Sequence, residues 1–447
     1  MESGKIHSLK YISLYIKGER MNNKERDEKF LKSWLKKKIS ITTSTVVSFL
    51  ITGAIGGGAA YGAGNKAGTG GNNNSVAWGQ GSSVDNDSVA VGANARAVSA
   101  SGGVPAVTSK GVAIGNNAKA EGSISIGELS SSNHFGVAIG YNAGAQNTTT
   151  GASFANVTIG ANTRVGVQGG TQAAQGIAIG SGIQAHEGAW AKGDQSIAIG
   201  ANTESTGDSS IAIGGDDLKS VSNKTSSYSD ARFDKNGNKI GGNSNNTASI
   251  NNIFNTLTGR GAILHQGTGT DGKFYTAWRN TESGQGAVAL GVKSISGDIA
   301  LAIGTFSEAT GTNSVAIGTG AQTPQSGAVA IGGGSTTNGL QGRQITDADI
   351  TLTDGTTMAL TNFAGASGVL EGSMVSFGKA GNERQLKHIA PGEVSATSTD
   401  GINGSQLFAV AKKLGDDISK FKYVSIKSND AGNKLNDGAT ANNAIAI

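Results

Sequence analysis

The sequence predicts an all-β chain wound as a parallel solenoid with two short strands per coil. Three observations carry that prediction: a five-residue phrase that recurs, the near-constant spacing of its copies, and a composition unsuited to a single globular core. The chain has 447 residues with 71 glycines, 3 prolines and 5% aromatics, so any core must be thin and repetitive. Collagen would need far more proline, and a disordered chain would carry fewer of these Val-Ala-Ile runs.

The phrase occurs as SVAWG (75–79), SVAVG (88–92), GVAIG (111–115) and SISIG (123–127), and continues to SIAIG (210–214). After a gap it returns as AVALG (287–291), ALAIG (300–304), SVAIG (314–318) and AVAIG (328–332), with closing glycines 13 or 14 residues apart. One phrase and one return segment therefore make one coil, and stacked coils share a core that no coil could build alone. Phrases end in glycine, often followed by Ala-Asn as in GANARA (92–97), where positive φ lets the chain turn.

Side chains alternate along an extended strand, so Val315 and Ile317 face one way and Ser314 and Ala316 the other. The expectation is that the branched face fills the coil. Val315, Ile317 and Gly318, with Val89, Val91 and Gly92, would be the repeat core. The small face would be open to a partner or ligand, through Asn313, Ser314 and Ala316 and through Asn74, Ser75 and Ser88. On that assignment aspartate at Val315 and Ile317 would unravel the local coils.

Charge is concentrated at the start. Residues 1–40 hold eleven Lys/Arg and five acids, which leaves twenty-five bases against twenty-seven acids elsewhere, so nucleic acid is not an expected partner. Lys36, Lys37 and Lys38, the apolar run Ile39–Ile55 and then small residues have the order of a secretory signal, assigned to 1–63; a start at Met21 would give a more ordinary leader. Zero cysteines exclude disulfides and thiolate metal chemistry.

No catalytic constellation emerges. His7, His134, His186, His265 and His388 are too scattered for a metal pair, and DKNGNK (234–239) has Lys239 where a calcium loop requires glycine. No GxSxG elbow or phosphate-binding loop is present, so neither enzyme activity, cofactor nor metal is expected. Trp78 and Trp190 at strand positions read as local repacking or as exposed anchors.

The organisation follows. Repeats fill 64–214 and 287–332 around an insertion at 215–286, and a β-rich connector, 333–383, includes the alternating run ITDADITLTDGTTMAL (345–360). A neck follows at 384–407, then a helix with Leu407, Leu414 and Phe421 seven apart, 408–421, capped by Asp400. Residues 422–447 end in ANNAIAI, which reads as a further phrase cut before its glycine.

Tandem SVAIG phrases behind an export signal, followed by STDGINGSQL (398–407) opening a heptad helix, resemble the trimeric autotransporter adhesins with a YadA-like head. The resemblance implies a left-handed parallel β-roll head, trimeric, followed by a neck, the start of an α-helical coiled-coil stalk, and an outer-membrane anchor that would lie beyond Ile447. Asp400, Asn403, Gln406 and Leu407 match the neck pattern, with Gly401 and Ile402 where Ala-Val is usual. It further implies a homotrimer on the surface of a Gram-negative cell, attached to host extracellular-matrix proteins or cell-surface receptors, with phrases such as Asn313–Gly318 associated with collagen-type ligands. The alternatives are a structural fibre for autoaggregation without a host ligand and a left-handed β-helix acyltransferase, which would need six-residue periodicity.

Overall fold

The computed structural model describes residues 75–85, 87–98, 110–145, 155–166, 174–184, 187–260, 280–353 and 355–419. The signal segment, Asn74, His186, Phe421 and the 422–447 segment lie outside the described residues. Two compact units form: one of the described residues up to Leu340 with Met374–Gly381, the other of Gln341–Ser373 with the described residues from Asn382 onward.

The first unit is a parallel β-roll. Its phrase strands form a 14-stranded sheet and its return strands an 11-stranded sheet, each strand paired in parallel with those of the coils before and after. Register is uniform: Leu301, Ala302 and Ile303 lie over Val315, Ala316 and Ile317, which lie over Val329, Ala330 and Ile331. Every phrase strand between the two end strands thus finds backbone partners on both sides, so a three-residue strand suffices.

The inward face is the small one, opposite to the expectation above. Ala90, Ala113, Ala198, Ala302, Ala316 and Ala330 are fully buried, as are Ser88 and Ser314, whereas Val89, Val91, Val315 and Ile317 lie half-buried on the outer surface. The alternation is as the sequence dictates; the faces are exchanged. The interior is lined from both sheets mainly by Ala, Ser and Thr, such as Ala97, Ala191, Ser205 and Ala309, with Val84 and Val165 among its few larger side chains. Many buried hydroxyls pair internally, as Ser205 Oγ with Ser210 Oγ at 2.6 Å and Thr323 Oγ1 donating to Ser314 Oγ at 3.1 Å, while Ser296 Oγ has no partner among the described residues.

The phrase-closing glycine sets how closely coils stack. Gly318 has φ +131°, and a Cβ there would lie 2.5 Å from the carbonyl carbon of Gly332 in the next coil. At the corner before each phrase, the side-chain oxygens of Asp194, Asp208, Gln285 and Asp298 each accept the backbone N–H of the equivalent residue one coil back, at 2.8–3.0 Å.

Both interruptions leave from corners, and the roll closes around them. The return strand Thr281–Ser283 pairs with Thr203–Ser205, Thr over Thr and Glu over Glu, so the roll resumes six residues ahead of AVALG. The identical NTES at 202–205 and 280–283 is the signal. Likewise Val375–Ser376 pairs with Val329–Ala330, which makes MVSFG (374–378) a fourteenth phrase that keeps the small residue, Ser376, at the inward position.

The insertion is anchored rather than simply projecting. Its helix, Ile250–Thr258, is capped by Ser249, whose Oγ accepts from Asn252 N, and ends at left-handed Gly259. Phe254 packs on Phe306 with ring centroids 5.9 Å apart, beside Leu218. Arg260 holds Glu308 at 2.7 Å and the Phe306 carbonyl at 2.8 Å, and Lys379 Nζ donates to the Thr258 carbonyl. Helical residue Thr258 lies over Gly320 and Gly334, where a Cβ would collide with it.

In the second unit a hairpin pairs Asp347–Thr351 with Thr357–Thr361, and a helix spans Gly404–Ser419. Leu407, Leu414 and Ile418 are all exposed on that helix, which buries none of its residues within the chain.

Candidate functional site

The roll presents two outer faces and two corners. On the phrase sheet, the outward side chains stack into two ladders, Val-type residues at the first strand position and Ile-type at the third. Trp78, Ile114, Ile139, Ile159, Ile179, Ile213 and Ile331 are 36–54% exposed. Fourteen strands at about 4.8 Å make a strip about 60 Å long. A soluble monomer rarely leaves so large an apolar strip facing water.

The return sheet has a different outer face. Following the pairing from coil to coil, its outward ladder includes Arg96, Lys119, Arg164, Trp190, Glu204, Glu282 and Glu308, basic at one end and acidic at the other. Trp190 sits at the changeover. Its indole N–H donates to the Gly166 carbonyl at 2.6 Å, and Arg164 and Lys192 lie 4.7 Å and 4.2 Å from its ring centroid. Lys192 also pairs with Glu204 at 2.5 Å. Trp190 is therefore a fixed, partly exposed aromatic among charges.

These faces relocate the predicted ligand residues. Ser314, Ala316 and Ser88 are sealed inside the roll and cannot meet a ligand; Ser88 Oγ accepts from Gly111 N at 3.1 Å. Ser75 donates its hydroxyl to the Asp85 carbonyl, bracing the first coil. Among the described members of the set only Asn313 is exposed, at a left-handed corner with φ 56°. Of the two places the sequence offers for ligand contact, the small face and the variable return segments, only the second faces outward, as the return ladder.

The corner after most phrases carries a left-handed residue, such as Asn94, Asn117, Asn142, Asn162 and Asn202. At the insertion this position becomes Asp216 and then Lys293, both buried. Asp216 accepts from Asn202 Nδ2 at 2.9 Å. Burial pushes its carboxyl above the usual carboxylate range, against the pull of the Asn202 hydrogen bond and the weaker attraction of Lys293. A carboxyl whose folded value is raised contributes most below its unfolded value and loses that contribution as pH rises through the folded one. Asp216→Asn, which preserves an acceptor for Asn202, is expected to melt at or above the wild-type temperature at pH 7. That advantage should shrink as pH falls through the folded-state value, measured by paired thermal melts across pH; an advantage that grows on acidification would contradict it.

DKNGNK is a hairpin turn, with Asp234 Oδ1 accepting the N–H groups of Asn236 and Asn238. Among the described residues no cluster of three or more His, Asp or Glu could hold a metal ion, and no helix is long and apolar enough to cross a membrane.

In the second unit, three of the predicted neck residues act together. Gln406 Oε1 accepts from Gly392 N and Asn403 N at 3.1 Å each, and its Nε2 donates to the Gly392 carbonyl at 2.6 Å. Asn403, not Asp400, caps the helix: its Oδ1 accepts from Gln406 N and from Ser405 Oγ. Asp400 lies too far upstream and instead accepts from Glu393 N at 3.0 Å. Leu407, the fourth, stays exposed. Gln406→Ala should cost about 2 kcal/mol through the lost bonds, read as faster amide hydrogen exchange at Gly392 and Asn403; unchanged exchange there would contradict the network.

The described residues thus form a tandem parallel β-roll with a sealed small-residue core and an exposed apolar outer strip. The model of the YadA head domain repeat matches residues 110–127, 191–216 and 296–321. Over those residues the chain therefore carries repeats of the YadA head type. Among solved structures it is similar to the C-terminal YadA-like domain of a Burkholderia pseudomallei protein, at 24% identity over 44% of this chain and 72% of that one, with a TM-score of 0.21. A TM-score that low carries no argument about the fold, which stands on the strand pairing above. No curated protein matches significantly.

Proposed function

We propose that this chain is the head of a cell-surface adhesin whose three copies pack through their phrase sheets and bind host matrix proteins or cell-surface receptors. The apolar strip carries the reading. Burying the half-exposed Ile and Val ladders against other copies removes from water a surface too large for a free monomer, and it leaves the return ladder as the outer wall. On that wall Arg164, Trp190 and Lys192 offer the residue types that dominate recognition surfaces. Repetition then serves twice, as scaffold and as multivalent surface, since three linked faces raise a modest affinity by roughly 10²–10⁴. The exposed seam Leu407, Leu414 and Ile418 supports the start of a coiled-coil stalk, and the family implies the surface of a Gram-negative cell.

The test is binding of the purified chain to immobilised collagen and other matrix proteins, with Trp190→Ala compared at equal assembly. Saturable binding that Trp190→Ala weakens at least tenfold supports the reading. Absence of binding to any matrix protein or host cell, with cells displaying the protein still clumping, would replace it by the autoaggregation fibre.

A further inference from the structure

Among the described residues the insertion carries a ribbon with exposed basic and apolar side chains. Thr225–Tyr228 pairs with Asn246–Ser249, and the ribbon continues through Arg232–Phe233 and Lys239–Gly241 to the turn at Asp234–Asn238. Its two acids are engaged by local hydrogen bonds. Asp230 Oδ1 accepts from Asn243 N and Asn246 Nδ2, and Asp234 is consumed by the turn, which holds both carboxyls below the usual range. Its bases, Arg232, Lys235 and Lys239, are exposed, together with Phe233 at 58% and Ile240 at 68%. A two-stranded ribbon is marginal in water by itself, yet this one is rooted on the roll through Phe254 and Arg260.

The roll has a surface of opposite sign at the same level. The ribbon leaves from the corner after Ile211–Ile213; Asp208 stands at the corner before that same strand, with Asp194 and Asp298 within two coils of it. Among the described residues no cation is paired with these three carboxylates, which accept only backbone N–H groups. Ile299, beside Asp298, is 58% exposed. The ladder from Asp194 to Asp298 spans about 14 Å and the ribbon reaches about 30 Å. In a closed rotational assembly copies stand at equal height, and both corners border the phrase sheet that the copies share.

We propose that the ribbon of one copy docks in trans on a second copy of this chain, setting Arg232, Lys235 and Lys239 against the neighbour's Asp194, Asp208 and Asp298, with Phe233 or Ile240 against Ile299. This rests on the assembly reading above. The contact is heterologous, so it closes a ring and fixes the rotational order of the copies.

The chain has no cysteine, so one pair can be introduced cleanly. Full-length Lys235→Cys/Asp208→Cys, oxidised and run without reductant, should give covalently linked dimers and trimers, whereas Lys235→Cys alone should not reach the trimer. Lys235→Glu/Lys239→Glu should raise the concentration at which the assembly dissociates about tenfold, roughly 1.4 kcal/mol, and adding Asp208→Lys/Asp298→Lys should restore it. Light scattering on the same samples separates failures. Three chains by mass with only intrachain or no linkage, or charge reversal without effect on assembly, overturns the docking alone. A monomeric wild type overturns the assembly reading with it.

Discussion

Gly318→Ala is expected to destabilise the roll by about 3 kcal/mol or more. Two costs add. At φ +131° an alanine is strained by about 1–3 kcal/mol, and its Cβ, 2.5 Å from the Gly332 carbonyl carbon, forces apart coils that are hydrogen-bonded on both sides. No flexible side chain can yield, because the obstacle is backbone. Gly327→Ala is the control: its φ is +76°, but nothing lies within 4 Å of the added carbon, so it should cost about 1–2 kcal/mol. Denaturant unfolding measures both. Equal effects would mean that stacking at the closing glycines does not limit the coil.

Ala316→Asp should be as damaging or worse, about 3–5 kcal/mol, since it places an unpaired carboxylate in an interior sealed by Ala and Ser. Its neighbour behaves differently. Ile317→Asp directs the charge outward, where Ile317 is only half-buried, so the coil should keep its β circular dichroism at dilution. The expectation drawn from alternation alone had these two residues reversed, with Ile317 as the core position. Loss of fold on Ile317→Asp together with tolerance of Ala316→Asp would restore that assignment.

Much of the fold was legible because its period is written in glycine. The spacing of 13 or 14 residues, the alternation and the corners all followed from residues such as Gly318 and Asn94. The choice of face did not, because alternation has two solutions and only the separation of the sheets decides between them. Branched residues suit an interior by type, but here Ala, Ser and Thr fill most of it, and hydroxyls find partners such as Ser205 with Ser210. The fourteenth phrase, MVSFG, hid behind Phe377 at the outer Ile-type position and behind Met374, a larger side chain where other phrases place an inward Ser or Ala. The insertion's docking was invisible locally, since Phe306, Gly320 and Gly334 gain meaning only when the coils are stacked beneath Ile250–Thr258. In the neck the motif residues were identified, while the capping role belonged to Asn403, as the geometry of Gln406 decides.

The most direct measurement is the solution mass of the full-length chain, by light scattering, beside that of Ile303→Asp/Ile317→Asp. With small residues inward and the branched ladders outward as the packing face, the wild type should have the mass of three chains. The variant should fall to one while retaining its β signal. A variant that keeps three chains, or that loses its β structure with its assembly, would show that the branched face is not where copies meet.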